Sequence, residues 1–200
     1  MVRRFILSKL TLFAFFFFTN TGAYAAKILW TQYCQHQGKM KLLVHVDTDP
    51  TSPVPAEPES VKLLLRESLD ANWKIADEQS IDYLTATVLF EMEEWPRNKT
   101  IPFKVNSGEY EREGLFRAEP QEGSILKAVG LSCHKDIGWP WKEAISEVIS
   151  HDPDLVIFTG DQIYENDYGS PMFRAETQTD VPEGMKNYLE KYRRFGEAFR

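Results

Sequence analysis

Four consecutive apolar residues, Leu155-Val156-Ile157-Phe158, run into Thr159-Gly160-Asp161. An unbroken apolar run of this length suits a strand covered on both faces, as in a parallel sheet. Upstream, 125–131 reads as another strand, with Gly130 near its end. Between the two, Trp141, Ala144, Ile145, Val148 and Ile149 follow the i, i+3, i+4, i+7, i+8 spacing of one helical face. Pro140 stands where a first helical turn tolerates proline, and His151-Asp152-Pro153-Asp154 breaks the helix. Strand, helix and strand within about 35 residues form a βαβ unit, which predicts parallel neighbouring strands and a right-handed crossover.

The stretch from 27 to 122 has a different rhythm. Leu42, Val44 and Val46 alternate with Leu43, His45 and Asp47; Val61, Leu63 and Leu65 alternate with Lys62, Leu64 and Arg66. Ala86, Val88, Phe90 and Met92 repeat the period of two, as do Ile101, Phe103 and Val105, and 114–118 reads as a closing strand. Short runs of period two separated by turn-rich segments predict an all-β sandwich of the immunoglobulin or fibronectin kind. The interruptions at 47–53 and 95–98 contain prolines, which cannot donate to a ladder. The domain organisation expected is therefore a β-sandwich over 27–122, then an α/β domain over 123–200.

The first 25 residues stand apart. Arg3, Arg4 and Lys9 make a basic start, 10–18 is almost wholly apolar, and Ala23-Tyr24-Ala25 offers small residues where a signal peptidase reads. We expect a cleaved signal peptide, an exported (periplasmic or extracellular) protein, and membrane contact only through that signal. Removing it leaves 20 basic residues against 30 acidic ones, a formal charge of −10. No Lys/Arg cluster is long enough to track a phosphate backbone, which argues against stable nucleic-acid binding. A nucleotide-binding α/β domain with Asp161 on a ribose hydroxyl is disfavoured as well, since no Gly-x-Gly-x-x-Gly turn follows the first strand.

Ligands of open α/β sheets bind beyond the carboxyl ends of the strands. Two segments meet that description: Ser132-Cys133-His134, and Gly160-Asp161-Gln162-Ile163-Tyr164. Adjacent strands lie about 5 Å apart, so Cys133 and Asp161 can face a single ion, and Tyr164 can reach back to it. Each residue has a plainer reading. Asp161 could cap its loop. Cys133 could be a small buried residue or half of a disulfide with Cys34, the only other cysteine. Tyr164 could cover the sheet edge, His36 and His45 are lone histidines, and Asn166 and Asp167 read as loop residues. Asn98-Lys99-Thr100 fits a glycosylation acceptor in a eukaryotic secretory setting.

The stretch 152–165, Asp-Pro-Asp-Leu-Val-Ile-Phe-Thr-Gly-Asp-Gln-Ile-Tyr-Glu, with Ser132-Cys133 before it, resembles the amino-terminal metal motifs of the PhoD-type alkaline phosphatases. These belong to the calcineurin-like phosphoesterase superfamily. The resemblance is strongest over 125–168 and loose over 27–122. It implies an exported metal-dependent phosphoester hydrolase that uses a metal-activated hydroxide on a small-molecule phosphoester. Cys133 then matches the cysteine ligand of the iron-type metal, Asp161 the bridging aspartate and Tyr164 the tyrosinate ligand. Iron with calcium is the metal set implied, with manganese or zinc as other divalent choices. His134 keeps no assigned role. The later ligands of such enzymes, an asparagine and a closing Asp-x-His among them, have no counterpart before Arg200. The expectation is thus a fragment carrying the first half of a metal site. The rival reading is an exported β-sandwich binding module with a non-catalytic α/β remnant.

Overall fold

The protein is mostly β-sheet with few helices. The computed structural model describes residues 25–55, 59–137, 139–166, 169 and 172–198. The expected signal peptide lies outside the described residues except for Ala25. None of the described helices is long and apolar enough to cross a membrane.

Seven strands come first: β1 (Ile28–His36), β2 (Lys39–Val46), β3 (Ser60–Leu65), β4 (Lys74–Ser80), β5 (Thr87–Met92), β6 (Ile101–Ser107) and β7 (Tyr110–Phe116). They form two antiparallel sheets, ordered β1-β2-β5 and β4-β3-β6-β7. The period-two residues explain why. Met40, Leu42, Val44 and Val46 of β2 are buried together with Val61 and Leu63 of β3, Val88 and Phe90 of β5, and Val105 of β6, in one apolar cluster fed by both sheets. Two strands lack an alternating apolar run in the sequence. β1 pairs along its whole length with β2, while β4 is an almost wholly exposed edge of mixed polarity, held by ladder bonds to β3. Ala86 is buried but left out of β5, because its φ of 52° bends the chain before the strand begins.

The βαβ unit forms as the periodicity predicts, with trimmed ends: β8 (Ala128–Leu131), α1 (Lys142–Ser150) and β9 (Leu155–Phe158). β8 and β9 pair in parallel, Ala128 opposite Leu155 and Leu131 opposite Phe158. Asp154 latches their entry, its carboxylate accepting from the Lys127 N–H at 3.0 Å while its own N–H donates to the Lys127 carbonyl at 2.9 Å. The expectation that β9 is covered on both faces does not hold here. Its four residues are 36–44% exposed, because one helix with no buried residue cannot cover a two-stranded sheet.

A 3-10 turn (Gln178–Asp180), capped by Thr177, leads into α2 (Val181–Ala198). This last helix packs back onto β1. Gly196 permits the approach, since a Cβ there would collide with the Trp30 indole nitrogen. Phe195, next to it, turns to the other side and meets Phe158 of β9 at 5.5 Å between ring centroids. Arg193 pairs with Asp47, and Lys186 reaches Asp49 at 3.0 Å. Because the indole is fixed, Gly196→Ala is expected to destabilise the α2 seat by about 1–3 kcal/mol. Hydrogen exchange should show faster opening in α2 while β2, β3 and β6 keep their protection.

Trp30 is fixed from its other face by His45, stacked at 3.8 Å and 9°. The His45 Nε2 is buried without a hydrogen-bond partner among the described residues, and burial pushes its pKa from 6.5 down to about 4. Between those values the unfolded chain binds a proton that the folded chain refuses. The stability present above pH 6.5 is therefore lost as pH falls toward 4, by about 1.4 kcal/mol per pH unit and roughly 3 kcal/mol in all. His45→Phe, which keeps the stack, should flatten that part of the urea-midpoint profile relative to the wild type.

Candidate metal centre

Beyond the carboxyl ends of β8 and β9 the two loops leave side by side. The Thr159 N–H donates to the Leu131 carbonyl at 2.9 Å, and the His134 N–H donates to the Asp161 carbonyl at 2.8 Å. These bonds hold Cys133 and Asp161 opposite each other. Both residues take left-handed backbone, with φ of 60° and 56°, beside Gly160 at 125°. For a non-glycine residue that conformation costs about 1–2 kcal/mol, and such outliers concentrate where the surrounding structure holds a functional group in place.

The side chains converge. Cys133 Sγ lies 3.7 Å from Asp161 Oδ2, and the Tyr164 hydroxyl donates to that same oxygen at 3.3 Å. Ser132 Oγ is 3.3 Å from Cys133 Sγ. Cys133 and Asp161 are exposed and Tyr164 is partly exposed, so the group is open to solvent and ions. Loss of water contact, together with the hydrogen bond to Cys133 and the negative charge of Asp161, pushes the Tyr164 phenol up to about 12. A thiol, a carboxylate and a phenol thus share one point. Among the described residues no three His, Cys, Asp or Glu side chains form a metal cage, so the third donor of this set is the tyrosine. The set fits a metal chemically: the carboxylate can bridge two ions, while thiolate and phenolate suit a soft or oxidised one. A bound cation would favour the deprotonated forms of both.

The remaining sequence candidates resolve differently. Cys34 and Cys133 are both free and exposed, so no disulfide removes Cys133 from the site. His134 is 3% exposed, its ring stacked on Trp141 at 4.7 Å and edge-on to Phe195 at 5.5 Å. Burial lowers its pKa, and its packing makes it a seat for α1 and α2. His36 is exposed on the end of β1, His45 serves the Trp30 stack, and Asp167 lies outside the described residues. Sequence reasoning missed Lys135. Its ammonium donates to Asn166 Oδ1 at 2.8 Å and stands 5.1 Å from the Tyr164 ring centroid, pinning the loop that carries Tyr164. Only its position beside Cys133 could have drawn attention to it.

No protein-family profile matches the chain, and no curated protein does. Among solved structures, the chain is similar to one described as "Structure of PhoD", with a TM-score of 0.59 and 15% identity over 86% of this chain and 36% of that one. Two variants of superoxide reductase (neelaredoxin) from Ignicoccus hospitalis also match, at 14% and 11% identity over 48% of this chain and 83% and 84% of theirs. Their TM-scores of 0.32 and 0.30 carry no argument about the fold. The chain therefore shares its fold with about a third of the length of a PhoD structure, and Cys133, Asp161 and Tyr164 meet at the carboxyl ends of its parallel strands.

Proposed function

We propose that this chain carries the first half of the metal site of an exported phosphoester hydrolase. The observation that supports this most directly is the meeting of Cys133, Asp161 and Tyr164 with two of the three in strained left-handed backbone. In this reading Asp161, Cys133 as thiolate and Tyr164 as phenolate would hold the metal. Iron with calcium is the proposed set, manganese or zinc the other candidates. Bound ions would supply Lewis-acid activation of water and offset charge on the phosphoryl oxygens. The chain's own part is to hold the three donors, with Lys135 and Asn166 pinning the Tyr164 loop and Gly160 letting the chain turn. The partner is a small-molecule phosphoester, with no stable nucleic-acid binding. The remaining ligands would come from beyond the part of the PhoD structure that this chain spans.

The proposed organisation has a signal peptide over 1–25, an immunoglobulin- or fibronectin-like sandwich over 27–122, and the opening of a metallophosphoesterase domain over 123–200. The two sheets that share one apolar cluster support the sandwich. Export places the protein in the periplasm or outside the cell.

Iron titration of the full chain tests the centre. A tyrosinate-to-iron band should appear in the visible spectrum and vanish in Tyr164→Phe, and Asp161→Ala should lose the metal as well. A colourless iron-loaded protein, with Tyr164→Phe unchanged, would exclude Tyr164. Metal-free behaviour in all variants would leave the β-rich part as a binding module.

A further inference from the structure

Tyr164 has a second surface. Tyr164 also lines an open cavity of about 390 Å³, together with Phe173 and with Gly184, Asn187, Tyr188 and Lys191 of α2. That volume falls within the range of small-molecule sites, about 300–1,000 Å³. Phe173 and Tyr188 leave 42% and 46% of their surface to solvent, so two aromatic faces border the space. Neither ring is loose. Tyr188 rests on Tyr192 at 4.8 Å, and Phe173 lies against Gly184, where an added Cβ would meet it at 3.1 Å. Lys191 is only 5% exposed, and its ammonium donates to the Glu165 carbonyl, which binds α2 to the metal-site loop. Asn187 contributes an amide able to donate or accept.

We infer that this cavity receives the leaving group of the phosphoester, and that the group is a planar aromatic ring. The inference rests on the phosphoesterase reading and deepens it. Tyr164 belongs to both places: its hydroxyl reaches Asp161, and the residue lines the cavity. A phosphoester bound through ions at the Cys133–Asp161–Tyr164 set would lie next to the cavity, because Tyr164 belongs to both. Aromatic walls attract a flat ring by stacking, a contribution measured for nucleobases at about tenfold or more per ring. Asn187 orients one polar substituent on that ring.

Binding to the full, metal-loaded chain tests this with phenylphosphonate and methylphosphonate as probes, neither of which can be hydrolysed. The phenyl compound should bind at least about tenfold more tightly. Phe173→Ala with Tyr188→Ala should erase the preference and leave methylphosphonate binding unchanged. Gly184→Val, whose added side chain crowds Phe173 at the cavity lining, should erase it too. Equal affinities, or a preference that survives both variants, would overturn the inference. Phenol, which has no phosphorus, separates the two readings by saturation-transfer NMR. If neither phosphonate binds in a metal-dependent way the phosphoesterase reading fails, and a phenol signal that disappears in the double variant still supports the aryl cavity. Absence of any phenol signal overturns the cavity as well.

Discussion

Phe116→Ala should remove about 3–5 kcal/mol of folding stability, the range found when a buried phenylalanine is truncated and its cavity stays open. Phe116 is fully buried at the end of β7, where three aromatic rings meet it. Tyr33 of β1 and Trp95 stand edge-on to it, each at 5.1 Å, and Phe103 of β6 stacks on it at 4.3 Å. Tyr33 belongs to one sheet, Phe103 and Phe116 to the other, so this ring couples the two. Hydrogen bonds lock the same cluster. The Trp95 indole donates to Gln35 Oε1 at 3.1 Å, and the Arg117 N–H donates to the Tyr33 hydroxyl at 3.0 Å. Collapse to fill the cavity would break them, so relaxation is limited. Against a typical total of about 5–15 kcal/mol, the loss is a large share. Thermal unfolding followed by tryptophan fluorescence should show a Tm lower by roughly 10 °C. Phe116→Leu, which keeps much of the volume, should lose less. A wild-type Tm in Phe116→Ala would mean that the two sheets are not coupled through this ring.

Cys133→Gly should separate stability from metal binding. Its φ of 60° costs a cysteine about 1–2 kcal/mol, a strain that glycine does not feel. Glycine gives back about 0.5–1 kcal/mol through its greater freedom in the unfolded chain. The metal-free variant should therefore match the wild type or exceed it by up to about 1.5 kcal/mol in urea unfolding. Its metal affinity should fall by more than the roughly 10–100-fold that loss of an outer-shell partner costs, because a proposed direct donor is gone. A residue kept for packing gives the opposite pair of results: lower stability and unchanged metal binding. Asp161 shares the left-handed backbone, which aspartate tolerates better than cysteine, so Asp161→Gly should gain less stability while losing metal as well.

Much of this protein was legible along the chain because short-range physics governs it. Leu42, Val44 and Val46 on β2 announced their burial by alternation alone, since successive side chains of a strand point to opposite faces. Leu155–Phe158 announced a parallel strand, and its pairing with Ala128–Leu131 followed from the helix between them. The strand ends then located Cys133 and Asp161, because the crevice of an α/β sheet lies at that edge. β4 was not legible. Its residues are exposed and unpatterned, and only its ladder with β3 makes it a strand.

What tertiary structure decided is of another kind. Whether Cys34 could reach Cys133, whether Tyr164 turned toward Asp161, and how His134 was used all depend on distances across the fold. The answers are two free thiols, a hydroxyl at 3.3 Å and a ring buried under Trp141 and Phe195. The role of Gly196 appears only once α2 is seated against Trp30, and the aromatic cavity only once α2 stands beside Tyr164. The sequence alone determined the βαβ unit and the strand-end position of the candidate ligands, because both follow from an unbroken apolar run and the roughly 3.6-residue period of the helix before it. Their convergence on one point required contacts between residues 28 positions apart, which no local period encodes.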